Sequence, residues 1–265
     1  MRRWRSHDVP TALVVLGGVG LLVVLVPVLG LLVRTPWGSL GELLSGDVAL
    51  DALRISVVTS VGATLLGAVL GLPLAFLLAR VDFPGRSIVR GVVLLPLVLP
   101  PVVGGAALLF ALGRRGVIGG PLADATGIVL PFSTGGVVLA ATFVSMPFLV
   151  VTVEGALRNV DRRFEGAAES LGASPWMVLR RVTVPLIAPS IAAGLVLTWA
   201  RALGEFGATI TFAGNLAGRT QTLPLAVFVA LESDRDTAIA LSLVMIAISL
   251  AVIVALRERW LGGLR

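Results

Sequence analysis

The densest set of polar groups within an apolar stretch is Arg201-Ala202-Leu203-Gly204-Glu205-Phe206-Gly207-Ala208-Thr209-Ile210-Thr211-Phe212-Ala213-Gly214-Asn215. Arg201 and Glu205 stand four residues apart, so one helical turn can pair them. Charges this near an apolar interior are costly and point to function. Thr209, Thr211 and Asn215 add hydroxyl and amide donors that suit an oxyanion, while Gly204, Gly207 and Gly214 let a helix flex. One reading makes the segment the gate or lining of an anion pathway. The other is structural, with the pair self-satisfied and the hydroxyls bonding between helices. An acidic residue facing an anion path would repel the cargo. Glu205 therefore reads as the partner of Arg201, with the hydroxyls as lining.

Most other chemistry is excluded by missing residue types. There is no cysteine, lysine or tyrosine, and the one histidine, His7, lies in the N-terminal tail. Disulfide scaffolds, thiolate metal sites and a His-assisted serine nucleophile are ruled out or disfavoured. All 21 basic residues are arginine. A Walker A loop needs its lysine against the phosphates, so the chain cannot be a P-loop ATPase. With no carboxylate cluster in the apolar runs, no catalytic residue, metal or bound cofactor is expected. Any ATP and Mg²⁺ belong to a partner.

The elements that hold these residues are set by composition. Hydrophobic residues make up 57% of the 265 and charged residues 14%, with a mean hydropathy of +1.01. A soluble domain carries about 25% charged residues to cover its surface. This chain is expected to be an all-α integral membrane protein. Uncharged runs long enough to span occur at Thr11–Val33, Ile55–Ala79, Gly91–Gly113, Thr134–Val153, Val182–Ala200 and Thr237–Leu256, so six transmembrane helices are predicted. Phe206–Leu216 and Thr220–Leu231 are too short to span, and read as an extension of the fifth helix, a re-entrant piece or an interfacial loop. Met1-Arg2-Arg3-Trp4-Arg5 resembles a signal-peptide n-region, but the 23-residue run after it is too long for an h-region and reads as a retained anchor.

Arginine placement sets the orientation. With the N-terminus inside and six spans threaded, 14 arginines fall inside against 7 outside or within the membrane. Both termini are then cytoplasmic, in a plasma or inner membrane. The net charge of +6 reports topology and anionic headgroups, not nucleic acid. The expected organisation is an N-terminal tail 1–10, one transmembrane domain 11–260 with a cytoplasmic loop 154–184, and a C-terminal tail 261–265. In the third run, Pro96, Pro100 and Pro101 remove backbone donors and force a break. That break fits a pathway-lining broken helix or a packing kink.

The 28 residues from Glu154 to Arg181 form the longest polar inside segment. Leu157, Val160, Phe164, Ala167/Ala168 and Leu171 make one helical stripe. Gly172 supplies a left-handed stop, and Ser174-Pro175 an N-cap with proline at the first helical position. A helix, a tight turn lined by small residues and a second helix suit either docking of a partner or lying on the bilayer surface.

Glu165-Gly166-Ala167-Ala168-Glu169-Ser170-Leu171-Gly172, then nine residues, then Val182-Thr183-Val184-Pro185, resembles the "EAA" loop of ABC importer permeases. Gly166 stands where that pattern has Glu, and Glu165 lies one place early, so the salt-bridge role of Glu165 is open. The resemblance implies that Glu165, Gly166, Ala167, Ala168, Leu171, Gly172 and Pro185 belong to coupling helices seated in a cleft of an ATPase subunit. More narrowly, the Arg201–Phe212 segment, the following Asn215 and Thr220-Gln221-Thr222-Leu223-Pro224 look like molybdate permease subunits. Leu94 through Val103, Gly113-Arg114-Arg115-Gly116 and Ala79-Arg80…Phe83-Pro84-Gly85 extend the similarity over about residues 53–258.

The resemblance implies a type I ABC importer permease fold, a homodimer, two ATP-binding subunits and an extracytoplasmic oxyanion-binding protein. The translocation pathway would involve Arg201, Gly204, Glu205, Gly207, Thr209, Thr211 and Asn215. Sulfate, thiosulfate or tungstate are alternative cargoes. An ATP-independent anion channel or carrier is the alternative of another class; a membrane enzyme is opposed by the missing residue types.

Overall fold

The structure, a computed structural model, describes residues 10–262. The tails 1–10 and 261–265 lie outside the described residues apart from Pro10, Leu261 and Gly262, as do Arg2, Arg3, Arg5, His7 and Arg265. All regular structure among the described residues is helical. In chain order it comprises α1 (Thr11–Val33), α2 (Leu40–Ser45), α3 (Asp47–Arg80), α4 (Arg86–Val98), α5 (Pro101–Leu112), α6 (Gly119–Thr126) and α7 (Thr134–Asn159). There follow α8 (Arg163–Ser170), α9 (Pro175–Val178), a π-helical turn (Leu179–Thr183), α10 (Val184–Leu203), α11 (Gly207–Phe212), α12 (Leu223–Ser233) and α13 (Arg235–Gly262).

α3, α7 and α10 form the centre. In hydrocarbon, helices gain little from burying apolar surface, so close contact depends on small residues. The seam supplies them: Ala63 and Ala75 are fully buried, and Ala141 nearly so. Gly67 and Gly71 sit against Met146, the second with its hydrogen pointing at Met146 Cγ and Val150. The Thr142 hydroxyl donates to Val138 O at 2.7 Å and reaches Ala63 O at 3.4 Å. Residue numbers rise together along α3 and α7, so the two run parallel. α10 runs antiparallel to α7: Gly194 lies on Leu149 and Thr152, Ile187 shares a cluster with Leu157, and Ala202 one with Ala141.

Parallel packing of α3 and α7 obliges the intervening chain to recross the bundle. α4 and α5 do so as a broken pair bent by 120°. Leu99 and Pro100 are both extended between them, with ψ of 134° and 131°. The break falls where the three prolines predict it, but the third crossing is two short helices rather than one straight span. Five helices are each long and apolar enough to cross a membrane, and the bent pair, counted as one broken span, brings the number to six. α3 begins at Asp47, not at the expected Ile55, because a helix can continue past the hydrocarbon boundary into a polar layer. At 34 residues it is roughly 50 Å long, against about 30 Å of hydrocarbon.

Of the three readings for the stretch after α10, a straight extension of the fifth helix is not seen: α10 ends at Leu203 and α11 opens at Gly207. α11 wedges between α5 and α7, and α12 packs on the first half of α3. Ala208, Phe212, Leu223 and Leu225 are fully buried, and Leu223 N donates to Ser56 Oγ at 2.7 Å. The α5–α11 contact is closest at Gly105, whose added Cβ would lie 2.7 Å from Thr211 Cβ and 2.8 Å from Ala208 O. By contrast α1 buries no residue. At the start of α13, the Asp234 carboxylate accepts from the Thr237 hydroxyl and from two backbone N–H groups. The Thr237 hydroxyl foremost holds this carboxyl below its usual range, so the cap is intact at neutral pH and lost only as pH falls through that lowered value.

The Gly105 contact is with backbone, which cannot step aside. Gly105→Val should lower the melting temperature of the detergent-solubilised protein by the equivalent of about 1–3 kcal/mol. Gly17→Val on α1, where an added Cβ meets nothing within 4 Å, should leave it unchanged.

Candidate functional site

The segment joining α7 to α10 carries the first candidate site. The helical stripe expected from Leu157 to Leu171 is divided. Glu154–Asn159 complete α7, Val160 turns extended with ψ of 129°, and Asp161 accepts from Arg163 N to open α8. Leu157 is therefore core, 1% exposed, while Phe164 and Leu171 project outward. The turn is as anticipated. Gly172 has a φ of +85°, and its N–H donates to Glu169 O while Ala173 N donates to Ala168 O, a Schellman pair that needs a left-handed residue. Ser174 Oγ accepts from Met177 N at 3.4 Å to cap α9, with Pro175 at its first position.

What α8 and α9 present outward mixes charged groups, among them Arg163 and Glu169, with large apolar side chains. Leu171 is 89% exposed, Trp176 69% and Phe164 58%. Gly166 and Ala167 are exposed between them, and a Cβ at Gly166 would meet nothing within 4 Å. Pro185 sits exposed at the start of α10. Ala168 is half-buried. Exposed aromatic and leucine side chains around small residues make a surface that a partner can cover closely.

Glu165 faces the other way. Its Oε1 accepts from Arg80 Nη2 at 2.9 Å and from Thr183 Oγ1 at 2.7 Å. Sequence reasoning left the role of Glu165 open and did not find these partners: 85 residues separate Glu165 from Arg80. Nearby, Glu154 is 6% exposed and pairs with Arg90 and with Arg158, the latter at 2.8 Å. Arg86 donates to Leu78 O at 2.8 Å, covering a carbonyl at the end of α3 that the helix itself cannot satisfy. Arginines thus tie α3, α4 and α7 together at the loop end of the bundle.

The second candidate site is the Arg201–Glu205 segment. The expected pair forms, with Arg201 Nη2 at 2.8 Å from Glu205 Oε2, and Glu205's side chain is 1% exposed. It does not lie within one helix, however. α10 ends at Leu203, and Glu205 stands in a break before α11, where its Oε1 accepts from Ala208 N at 2.8 Å. The cation sits at the carbonyl end of α10 and the carboxylate at the N–H end of α11, each matched to the local backbone dipole. The pair bridges the gap. Gly207 lies against Pro101, 2.8 Å from an added Cβ, and Thr211 Oγ1 donates to Gly207 O. Thr209 is buried, Gly204 exposed, and Arg201, Thr211 and Asn215 half-buried. Among the described residues, Thr209 Oγ1 and Asn215 Oδ1 have no hydrogen-bond partner.

Removing one member of such a pair leaves a buried charge. Arg201→Ala should destabilise the solubilised protein by about 3–5 kcal/mol, and the double change Arg201→Met/Glu205→Gln should recover most of it. Chemical-denaturation midpoints of the three proteins check this.

Comparison with known proteins agrees with this geometry. The family described as "Binding-protein-dependent transport system inner membrane component" matches residues 67–262. The molybdenum transport system permease protein ModB of Mycobacterium bovis is 46% identical over 242 residues, covering 91% of this chain and 90% of that protein. ModB of Escherichia coli is 44% identical over 216 residues, covering 82% and 94%. Among solved structures, a bacterial ABC transporter that imports the acidic polysaccharide alginate superposes with a TM-score of 0.77 at 18% identity, over 94% of this chain and 93% of that one. The fold is that of a type I ABC importer permease, and the chain belongs to the binding-protein-dependent transport system inner membrane component family.

Proposed function

We propose that this chain is the membrane-spanning subunit of an ATP-driven importer for a tetrahedral oxyanion, molybdate, working by alternating access. The observation that carries the cargo is the 46% identity, over nearly the whole of both chains, to a protein named for molybdenum transport. The projecting pair α8–α9 supports ATP coupling. An anion channel or an ATP-independent carrier has no use for a docking surface held clear of the bundle.

Two copies of the chain would pair around the path, with two separate ATPase subunits beneath α8–α9 and a binding protein delivering the anion on the opposite face. ATP and Mg²⁺ would be bound by those ATPases. The loop end carries Arg80, Arg86, Arg90, Arg158, Arg162, Arg163, Arg180 and Arg181, which supports a cytoplasmic position for it and for both termini. The α10–α11 break is the proposed gate. Its buried, unpartnered Thr209 hydroxyl is a donor that an anion could use, while the Glu205 charge is turned onto Arg201 and the α11 backbone and so does not oppose the cargo. No bond in the cargo breaks, so these residues shape and polarise a path rather than catalyse.

Uptake of labelled molybdate into proteoliposomes holding the chain, its ATPase and its binding protein tests the reading. ATP-dependent uptake blocked by tungstate and indifferent to sulfate is expected. Strong competition by sulfate would reassign the cargo, and flux that persists without ATP would sink ATP coupling.

Gly166→Leu probes the docking surface more cleanly than a change at Gly172, whose positive φ makes any side chain a strain. The leucine projects into open space, so the permease should fold as before. Retention of the ATPase through affinity purification should fall about tenfold or more, as expected when a central contact is obstructed.

A further inference from the structure

The proposal that α8–α9 receive an ATPase leaves a mechanical question. A docked partner can drive the bundle only if the displaced helix is attached to it. α8 buries none of its residues. Beneath it lies a cleft of about 350 Å³ lined by Phe76, Arg80, Glu165, Val178, Leu179 and Thr183, among others. Close packing does not hold α8 in place. Of the side-chain hydrogen bonds described, those joining α8 to the rest of the bundle both end on one atom, Glu165 Oε1.

The two donors belong to different parts of the core. Arg80 is the last residue of α3, and Thr183 closes the π-helical turn that runs directly into α10. Both are sheltered: the Arg80 side chain is 11% exposed and Glu165 18%, and Thr183 is 2% exposed. Water competes weakly there, and a charge-assisted bond keeps more of its strength than at an open surface. The π turn is a second observation in the same place. Such turns carry one residue more than an α-helix can accommodate and concentrate where helices must adjust. A pull on Thr183 acts on the compliant joint at the root of α10, and a pull on Arg80 acts on the end of α3.

We infer that Glu165 is a positioning residue, and that the Arg80–Glu165–Thr183 knot carries displacement of the coupling helix into α3 and α10. Glu165 does not recognise the ATPase. Partner recognition belongs to the exposed residues around it, at Phe164, Gly166, Leu171 and Trp176. The cleft beneath α8 leaves the helix room to rock about this side-chain attachment. The inference rests on the docking reading given above.

Two measurements separate the inference from that reading. In the isolated permease, hydrogen–deuterium exchange over residues 163–170 should rise in Glu165→Ala by about tenfold. The exchanged pair Arg80→Glu/Glu165→Arg should bring it back toward the parent value. Exchange unaltered by Glu165→Ala would overturn the inference without any reference to transport.

In the reconstituted complex, Glu165→Ala should still retain the ATPase and hydrolyse ATP, while labelled molybdate moved per ATP falls about tenfold, within the usual range of coupling between sites. Glu165→Gln, which keeps the acceptor for Thr183 and loses the charge facing Arg80, should fall less. Loss of the ATPase from Glu165→Ala to the extent seen with Gly166→Leu would make Glu165 a partner contact and overturn the inference. So would unchanged transport per ATP. A parent complex that moves no anion with ATP would instead refute the proposed function, leaving the exchange measurement to decide the knot.

Discussion

Everything in this molecule depends on how closely α3, α7 and α10 can approach. Lipid offers no water to expel, so these helices are held by dispersion contacts and a few hydrogen bonds, both of which vanish within an ångström or two. The seam therefore consists of glycine, alanine, serine and threonine wherever backbones meet. Ala63, Gly67, Gly71, Ala141 and Gly194 set the distance between axes. Larger residues such as Leu149, Leu157 and Leu78 pack around them in one buried cluster. Because the seam fixes α3 and α7 as parallel neighbours, it also dictates that the chain between them must cross back. The bent α4–α5 pair answers that topological demand.

Charge is used in two separate places and in two ways. At the loop end, arginines reach across helix termini to carbonyls and carboxylates, where the side chains can still touch water. Arg86 and Arg90 close the end of α3, and Glu154 lies between two guanidinium groups. Deeper in the bundle, a single ion pair stands at an interruption of the backbone. There Arg201 and Glu205 compensate peptide groups that α10 and α11 leave exposed at their facing ends. The first arrangement fastens elements to each other. The second makes a discontinuous helix tolerable inside an apolar medium.

Membrane character, the positions of the crossings, the proline break, the left-handed turn at Gly172 and the Ser174 cap were all legible in the residues, because each follows from hydropathy or from one residue's local geometry. The residues joined by tertiary contact were not. Glu165 shows in the sequence only as a displaced acid, since its meaning depends on Arg80 and Thr183. Apolar spacing from Leu157 to Leu171 suggested one helix, but spacing says nothing of the extended Val160 that divides it. For Phe206–Leu231 hydropathy says only that its two apolar runs are too short to span. Much of the stretch is buried, Ala208 and Phe212 beside α5 and α7, and Leu223 and Ala226 against the start of α3. Length reports whether a helix can cross a bilayer, not whether it sits inside a protein.

α1 shows the converse. It has the length and apolarity of a span, yet buries none of its residues, and the family match begins only at residue 67. Lipid tails distinguish poorly between leucine, valine and isoleucine, so almost any apolar residue serves at almost any position along it. Such a helix conveys a hydropathy and a length but little sequence information.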